Sequence, residues 1–284
     1  MPLTTIKDIR SALAKELQSL YDEREIASLS RIISKTIFGG AGLHHFYNPE
    51  HFLTEEQSTY ATRIIKELKT GKPYQYVLGE TEFYNCTFDV SPGVLIPRPE
   101  TEELIDLIIR ENRDFTGEII DFGTGSGCIA ITLAVNLRKA AITAIDNSPE
   151  ALEIAAGNAK RNKAAVRFEL NDILNFRSNP EYKAGIIVSN PPYVRRSEMV
   201  HMKSNVLDFE PASALFVGDS DPLIFYRSIL EISETMLTEH GKVYFEINEA
   251  MGSGILKLMR ESGFRETTII KDLNNKDRFA KATR

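Results

Sequence analysis

The sequence predicts an α/β fold: a doubly wound sheet of seven strands, mostly parallel with one reversed strand, preceded by a small helical bundle. From Gly117 onward, short β-branched runs alternate with amphipathic helical stretches, which is typical of a parallel sheet covered by helices. Before about residue 75, apolar residues recur at helical spacing instead. The last two predicted strands lie too close together for a parallel crossover, so they must form an antiparallel hairpin.

Residues 1–75 are predicted to form a separate domain of helices. A threonine followed three residues later by an acidic or amide side chain is a capping box, and this pattern occurs at Thr5 and at Thr54. A second apolar stripe starts at Ile26 and ends before Gly39-Gly40. Acidic and basic side chains nearly balance in this segment, which is not typical of a surface that grips nucleic acid.

Residues 76–96 are predicted to be a β-hairpin that links the helical domain to the sheet domain. Two short β-rich stretches, at 82–84 and 87–90, precede the turn Ser91-Pro92-Gly93. A helix is expected to open within residues 97–102, with Pro99 near its first turn and acidic residues after it. The sheet domain is therefore expected to span residues 97–284.

The alternation within the sheet domain can be assigned element by element. Strands are predicted at 119–122, 141–145, 166–170, 186–189, 242–247, 267–270 and 278–282, and helices at 128–137, 149–162, 222–238 and 255–262. Each of the first strands is followed by a segment long enough for a crossover helix, so these strands should run parallel.

Composition limits the class of protein. Hydrophobic residues make up 42% of the chain and the net charge is -6, as in a globular protein that does not wrap a nucleic-acid backbone. The first ten residues lack a signal-peptide core, and the longest apolar run, residues 128–135, is too short for a membrane span. We therefore expect a cytoplasmic protein without a membrane partner.

Metal-ligating and disulfide-forming residues are sparse. The two cysteines, Cys86 and Cys128, are far apart and lack ligand spacing, so neither a disulfide nor a zinc site is indicated. The pair His44-His45 has no third ligand at a useful spacing, and we interpret it as part of a loop. No metal is predicted.

The turn Asn190-Pro191-Pro192-Tyr193 follows directly after a buried strand, at the edge where open α/β sheets bind ligands. Its prolines fix the backbone and remove N–H donors, which leaves carbonyls free to accept hydrogen bonds. The Asn190 amide oxygen, the Pro191 carbonyl and the Tyr193 ring suit a planar, conjugated NH2 group. Two acceptors can orient such a nitrogen and favour the positive charge that develops on alkylation. The alternative is a plain loop, because Asn and Pro both favour turns.

A nucleoside site is predicted where three successive strands end. The loop Gly123-Thr124-Gly125-Ser126-Gly127 allows a tight turn and close approach of a ligand. Asp146 can accept hydrogen bonds from both ribose hydroxyls, and Asp172 from an adenine amino group, with Ile173 as an apolar wall. Since Cys128 interrupts the dinucleotide fingerprint, the expected ligand is an adenosyl group without a pyrophosphate, most simply S-adenosylmethionine. Alternatively, both aspartates are only helix caps or turn residues.

The whole chain resembles the release factor glutamine methyltransferases, the PrmC or HemK family. The segments that carry the resemblance are Pro-Arg-Pro-Glu-Thr-Glu at 97–102, the loop at 123–127, Asp146, the turn at 190–193 and Glu210-Pro211. The resemblance implies a Rossmann-like methyltransferase that moves a methyl group from S-adenosylmethionine to the side-chain nitrogen (N5) of a glutamine. That glutamine belongs to the Gly-Gly-Gln motif of peptide chain release factors, and the second product is S-adenosylhomocysteine.

The resemblance also implies roles for individual residues. It assigns S-adenosylmethionine binding to Asp146 and to the glycines of the 123–127 loop, and we add Thr124 and Ser126 as members of that loop. It places Asn190 against both cofactor and substrate amide, and Pro191, Pro192 and Tyr193 against the substrate. Asn190, Pro191 and Tyr193 are the expected catalytic residues. The helical domain, which contains no part of the nucleoside site, is expected to recognise the release factor.

Two positions depart from the family pattern. Asn248 stands after the fifth strand where a glycine is expected, which puts in doubt any role for that turn. Ile173 stands where many relatives carry an aromatic residue against the adenine. The second departure predicts weaker stacking of the adenine and not the loss of the site.

Three other functions compete with this interpretation. An adenine-N6 nucleic-acid methyltransferase would present the same two amino hydrogens, but it must flip and grip its base, and only the pair Arg195-Arg196 is basic here. A non-catalytic module that docks a translation factor would have no need to keep Asn190 and Asp146. A dehydrogenase fails on the glycine spacing.

Overall fold

The computed structural model describes residues 3–39, 48–176 and 183–284, and the chain forms two compact units. The helical unit comprises Met1–Gly79 together with Lys203–Phe209, and the sheet unit comprises Glu80–Met202 and Glu210–Arg284. The short segment 203–209 thus belongs with helices that are far from it in sequence. Its Lys203 Nζ lies 3.5 Å from the Glu25 carboxylate.

In the described residues before 80, the helical unit has four helices: α1 (Ile6–Leu17), α2 (Glu23–Phe38), α3 (Glu55–Leu68) and α4 (Tyr74–Leu78). The predicted capping boxes at Thr5 and Thr54 are present, and a third, at Asp22, begins α2. The apolar stripes of α1, α2 and α3 pack into one core. The pair His44-His45 lies outside the described residues.

The sheet unit begins with the hairpin of β1 (Glu80–Phe83) and β2 (Cys86–Asp89). The elements that follow are α5 (Pro99–Glu111), β3 (Glu118–Phe122), α6 (Cys128–Asn136), β4 (Ala141–Asp146), α7 (Pro149–Arg161), β5 (Arg167–Leu170) and β6 (Ala184–Ser189). Then come β7 (Val194–Arg195), α8 (Ser204–Leu207, in the helical unit), α9 (Ala212–Leu215), β8 (Phe216–Val217), α10 (Ile224–Met236), β9 (Leu237–Glu246), α11 (Gly252–Glu261), β10 (Arg265–Lys271) and β11 (Asp277–Thr283).

The main sheet has seven strands in the order β10-β11-β9-β6-β3-β4-β5. Strands β3, β4, β5, β6 and β9 pair in parallel, whereas β11 is antiparallel to both of its neighbours. The predicted mostly parallel sheet of seven strands with one reversed strand is therefore confirmed. Because the chain moves outward from β3 to β4 and then crosses to β6 on the other side, β3 lies at the topological switch point.

Residues that alternate along the strands face two hydrophobic cores. Ile119 and Tyr244 face the helices α5 and α6, whereas Ile120 and Phe245 face α10 and α11. All four side chains are fully buried. Burial on both faces explains why these strands are continuous apolar runs in the sequence.

The fifth predicted strand differs at its start. It begins at Leu237 and not at residue 242, because the register with β6 shifts between Ala184 and Ile186. Among these additional residues, His240 has a positive φ of 63. This left-handed conformation is common in turns and bulges, and the sequence Glu239-His240-Gly241 likewise indicates a turn. The sequence also does not predict the small sheet in which the two-residue strands β7 and β8 pair. Over the described ranges, no helix has both the length and the apolar character needed to cross a membrane.

Candidate active site

A cavity lies at the carboxyl ends of the parallel strands of the sheet unit. Strand register creates it: Phe122 of β3 pairs with Ile145 of β4 and with Ser189 of β6. The next residues of the three strands are therefore neighbours, and these are Gly123, Asp146 and Asn190. The cavity is lined by the segments 93–95, 146–148 and 171–173, and by Gly123, Gly125, Ala151, Asn190, Pro192, Pro211, Ser213, Ala214 and Phe225.

The glycine-rich loop contributes to the cavity through only two of its five residues. Gly123 and Gly125 line the cavity with φ of 73 and 55, and a Cβ built on either would meet no atom within 4 Å. A ligand can therefore approach this backbone closely. The side chains of Thr124 and Ser126 are buried away from the cavity. Gly127 serves packing, since a Cβ there would lie 2.7 Å from Ile131 and 3.1 Å from Ala155.

The Asp146 carboxylate ends β4 and holds the loop beside it. Its Oδ2 accepts a hydrogen bond from the Gly125 N–H at 2.9 Å, and its Oδ1 accepts one from the Ser148 N–H at 2.9 Å. Each carboxylate oxygen can accept more than one hydrogen bond, so Asp146 retains capacity for a ligand hydroxyl. Asp146 thus combines a position on the cavity wall with a role in ordering the loop.

Asp172 also lines the cavity, and it is at the same time a cap. Its Oδ1 accepts a hydrogen bond from the Leu174 N–H at 3.0 Å, and its Oδ2 accepts one from the Asn175 amide at 2.7 Å. These bonds begin the 3-10 helix Ile173–Asn175. Ile173 lies on the cavity wall as well, packed against the core beneath it.

The Asn-Pro-Pro-Tyr turn divides between the cavity and the protein interior. Asn190 and Pro192 line the cavity, whereas Pro191 is buried and Tyr193 lies outside the lining. The Tyr193 hydroxyl donates a hydrogen bond to Glu246 Oε1 at 3.0 Å. Its ring packs against the core that contains α10 and α11. This hydrogen bond and this packing hold the turn in place on the side opposite the cavity.

Glu246 is a buried acid at the end of β9, and no motif in the sequence assigns it a role. Ser189 pairs with Phe245, so the register of β6 and β9 makes Glu246 the neighbour of Asn190. Burial raises the pKa of Glu246, while hydrogen bonds from Thr101 and Tyr193 and the positive charge of Arg278 oppose that rise. Only tertiary contact reveals this carboxyl group as part of the site.

A second buried acid, Glu210, directly precedes Pro211 of the cavity lining. Glu210 Oε1 accepts a hydrogen bond from Arg98 Nη2 at 2.6 Å, and its Oε2 accepts one from the Ile96 N–H at 3.1 Å. These bonds tie the segment before α5 to the segment that contains Pro211. The sequence held a signal for this contact, because both segments belong to the family resemblance.

The remaining predictions concern a turn and a metal. The Asn248 amide lies 3.4 Å from the Tyr193 carbonyl oxygen and accepts a hydrogen bond from the Ala250 N–H at 2.9 Å, so it stabilises its own turn. Among residues 3–39, 48–176 and 183–284, no three His, Cys, Asp or Glu side chains are grouped so that they could hold a metal ion.

Similarity to known proteins agrees with this architecture. The family model described as "Methyltransferase small domain" matches residues 101–214. Curated relatives of the chain bear the name release factor glutamine methyltransferase. The one from Bacteroides thetaiotaomicron is 42% identical over 276 residues, covering 97% of this chain and 99% of the relative. The one from Flavobacterium psychrophilum is 42% identical, covering 97% and 98%, and the one from Leptospira interrogans is 35% identical, covering 96% and 97%.

Solved structures share the fold at low sequence identity. A methyltransferase from Pyrococcus furiosus is 17% identical with a TM-score of 0.51, covering 71% of this chain and 90% of that one. The human methyltransferase 10 domain containing protein is 16% identical with a TM-score of 0.51, covering 70% and 90%. These likenesses concern the fold alone, whereas the relatives match nearly from end to end. On that identity and coverage, the chain belongs to the family of release factor glutamine methyltransferases.

Proposed function

We propose that this protein transfers a methyl group from S-adenosylmethionine to the side-chain amide nitrogen of the glutamine in the Gly-Gly-Gln motif of peptide chain release factors. The observation that carries the proposal is the convergence of Gly123, Asp146 and Asn190 on one cavity of the sheet unit. Names of the curated relatives support the same reaction.

The cavity suits S-adenosylmethionine by shape and chemistry. Open space beside Gly123 and Gly125 leaves room for a ligand against the backbone, and Asp146 offers carboxylate oxygens to ribose hydroxyls. Leu95, Ala151 and Ile173 add apolar surface for the adenine ring. When bound, S-adenosylmethionine supplies a methyl group on a sulfonium and leaves as S-adenosylhomocysteine.

The chain's own residues prepare the glutamine nitrogen. Asn190 Oδ1 accepts one amide hydrogen, and the backbone carbonyl of Pro191 accepts the other. Prolines at 191 and 192 have no N–H that would compete for these oxygens. Two acceptors stabilise the positive charge that develops on the nitrogen as its new bond forms, and this preference for the transition state is what accelerates transfer.

Adenine N6 presents the same two hydrogens, so the pocket chemistry alone also suits the nucleic-acid alternative. The curated relatives favour the protein substrate. A duplex substrate would further require phosphate contacts to offset the cost of flipping its base, about a few kcal/mol, and the net charge is -6.

The test is incubation of the protein with labelled S-adenosylmethionine and a release factor, followed by mass mapping. We expect one methyl group on the Gly-Gly-Gln glutamine, none on a release factor in which that glutamine is glutamate, and none on duplex DNA. Labelling of DNA, or of the glutamate-substituted factor at the same site, would overturn the proposal.

Substrate recognition and location complete the proposal. The helical unit has its own core and lies outside the lining of the cavity, and we assign it to recognition of the folded release factor. Since release factors act in translation, the enzyme is expected to work in the cytoplasm.

A further inference from the structure

A chain of hydrogen bonds connects the pocket asparagine to a buried acid. Asn190 Nδ2 donates to Thr101 Oγ1 at 3.3 Å, and Thr101 Oγ1 donates to Glu246 Oε2 at 2.7 Å. The other carboxyl oxygen, Oε1, accepts from the Tyr193 hydroxyl at 3.0 Å. Glu246 and Thr101 are 1% and 2% exposed. Both ends of the Asn-Pro-Pro-Tyr turn therefore depend on one carboxyl group.

The direction of these bonds follows from the chemistry of the acid. Both Glu246 oxygens accept hydrogen bonds, Oε2 from Thr101 and Oε1 from Tyr193, so the single proton of the Thr101 hydroxyl points to Glu246. The hydroxyl can then offer only a lone pair to Asn190, which must turn its NH2 group toward Thr101. This arrangement leaves the amide oxygen of Asn190 as the atom presented to a substrate N–H.

The opposite arrangement would disable the pocket. If Thr101 donated to Asn190, the amide would rotate and present its NH2 group to the NH2 group of the substrate, which is donor against donor. The Glu246 carboxyl group prevents this rotation because it accepts the hydrogen bond from the Thr101 hydroxyl. Glu246 would thus act like a buried acid that fixes the tautomer of a neighbouring side chain without touching the substrate.

Several groups around Glu246 influence its charge. Arg278, on the adjacent strand β11, and the hydrogen-bond donors Thr101 and Tyr193 favour the ionised form, whereas burial and the charge of Glu100 oppose it. Burial raises the pKa of Tyr226 and of Cys128, and the negative charge of Glu246 adds a smaller contribution to both. Tyr226 donates its hydroxyl hydrogen bond to the backbone oxygen of Glu246 at 2.9 Å.

We propose that Glu246, acting through Thr101, is a positioning residue that holds the Asn190 amide oxygen toward the reacting nitrogen. Neither Glu246 nor Thr101 lines the cavity, so their effect passes through Asn190. This role rests on the proposed function, because that function places the reacting amide against Asn190.

The test compares four variants in the full-length protein: Thr101→Val, Thr101→Ser, Glu246→Gln and the control Thr143→Val. Thr143 is a matched control because it is also buried, accepts from Arg167 Nε at 3.3 Å and donates to Glu118 at 2.8 Å, but lies outside the cavity lining. Each variant is assayed for S-adenosylmethionine affinity by calorimetry, for thermal unfolding, and for kcat and KM on the release factor.

Removal of the Thr101 hydroxyl should lower kcat by about 100-fold, the effect of a misplaced reacting group, with S-adenosylmethionine affinity kept within about twofold. Thr101→Ser keeps a hydroxyl and should recover most of that loss. Glu246→Gln leaves one acceptor for two hydroxyls and should lower kcat by about tenfold or more. Thr143→Val should lower stability without changing kcat.

A further readout is independent of turnover. In ¹⁵N-labelled protein, the side-chain NH2 protons of Asn190 should exchange with water faster in Thr101→Val than in the wild type, because their acceptor is lost. The inference is overturned if Thr101→Val or Glu246→Gln keeps wild-type kcat, or if Thr101→Ser is as impaired as Thr101→Val. Absence of wild-type methylation would instead refute the proposed function, so the two failures are distinguishable.

Discussion

At the scale of single residues, the sheet unit carries acids whose burial costs stability near neutral pH. Asp121, at the end of β3, is fully buried and accepts a hydrogen bond from Thr124 Oγ1 at 2.7 Å. Burial raises the pKa of Asp121 from 3.8 to about 7, and the negative charge of Asp146 contributes to that rise. The neutral acid is therefore favoured in the folded protein more than in the unfolded chain.

The pH dependence of stability should reveal this group. A raised folded pKa means that the stability contributed by Asp121 is fully present below about pH 4 and is lost as pH rises through about 7. Asp121→Asn keeps an acceptor for Thr124 and removes the charge. Its Tm should exceed that of the wild type increasingly from pH 4 to pH 7, by about 2–4 °C per kcal/mol of relieved penalty.

Thermal unfolding measured across this pH range checks the prediction. Asp114→Asn serves as the control, because it makes the same substitution on a side chain that is 92% exposed. Equal pH profiles for wild type and Asp121→Asn would contradict the expected ionisation of a buried acid.

A second residue-scale prediction concerns cofactor affinity. Asp146→Ala should weaken S-adenosylmethionine binding by about 1.5–3 kcal/mol, because the ribose loses a charged acceptor. The bonds to the Gly125 and Ser148 backbones are lost as well, so the loop also becomes less ordered. Asp146→Asn retains one acceptor oxygen and should lose less. Isothermal titration calorimetry with unchanged affinity for Asp146→Ala would exclude Asp146 from the nucleoside site.

At the scale of elements, helix α7 connects the hairpin β1–β2 to the glycine-rich loop. Asn158 is fully buried: its Oδ1 accepts from the Asp89 N–H at 2.6 Å, and its Nδ2 donates to the carbonyls of Asp89 and Ser126. One turn later, Asn162 bonds the N–H and carbonyl of Thr87 in the same way. The two amides extend the hydrogen bonding of β2 onto a helix.

Variants of these two asparagines should distinguish an effect on stability from an effect on cofactor binding. Asn158→Ala and Asn162→Ala should each destabilise the fold by about 1–3 kcal/mol, because hairpin backbone groups lose their partners. Only Asn158→Ala should also weaken S-adenosylmethionine binding, since Asn158 alone of the pair contacts the loop, at Ser126. Denaturant unfolding and calorimetry on both variants test this. Equal loss of affinity in the two variants would show that the hairpin, and not the contact to the loop, controls the site.

At the scale of the whole molecule, the cavity lining lies within one unit and the proposed recognition surface within the other. A chain of residues 80–284 should therefore bind S-adenosylmethionine with nearly wild-type affinity. Its kcat/KM on a folded release factor should fall at least about tenfold, as when an interface loses its anchoring residues.

A short peptide that contains Gly-Gly-Gln is the control substrate, because the truncated and the complete chain should methylate it equally slowly. Segment 203–209 belongs to the helical unit, so circular dichroism must first show that the truncated chain is folded. Undiminished kcat/KM on the folded factor would refute the recognition role of the helical unit.

Local patterns in the sequence account for most of the architecture. The capping boxes at Thr5 and Thr54, the apolar strands around Ile119 and Ile186, and the short link between the last two strands are properties of neighbouring residues. The sequence alone therefore determined the order of elements, the reversed strand and the strand ends that form the cavity. Two-residue strands such as β7 have no period to detect, and the bulge in β9 resembles a turn, so both escape sequence analysis.

The hydrogen bonds that join distant residues around the site were decided by tertiary structure alone. Thr101 is separated from Glu246 by 145 residues and from Asn190 by 89. The pairing of β9 with β6 brings Glu246 beside Asn190, and Thr101, on helix α5, reaches both through hydrogen bonds. Likewise, Glu210 meets Arg98 across 112 residues, and segment 203–209 joins helices near the amino terminus. A single sequence encodes the chemistry of each side chain, but which distant side chain accepts its hydrogen bond depends on strand register and packing, and these emerge only when the whole chain folds.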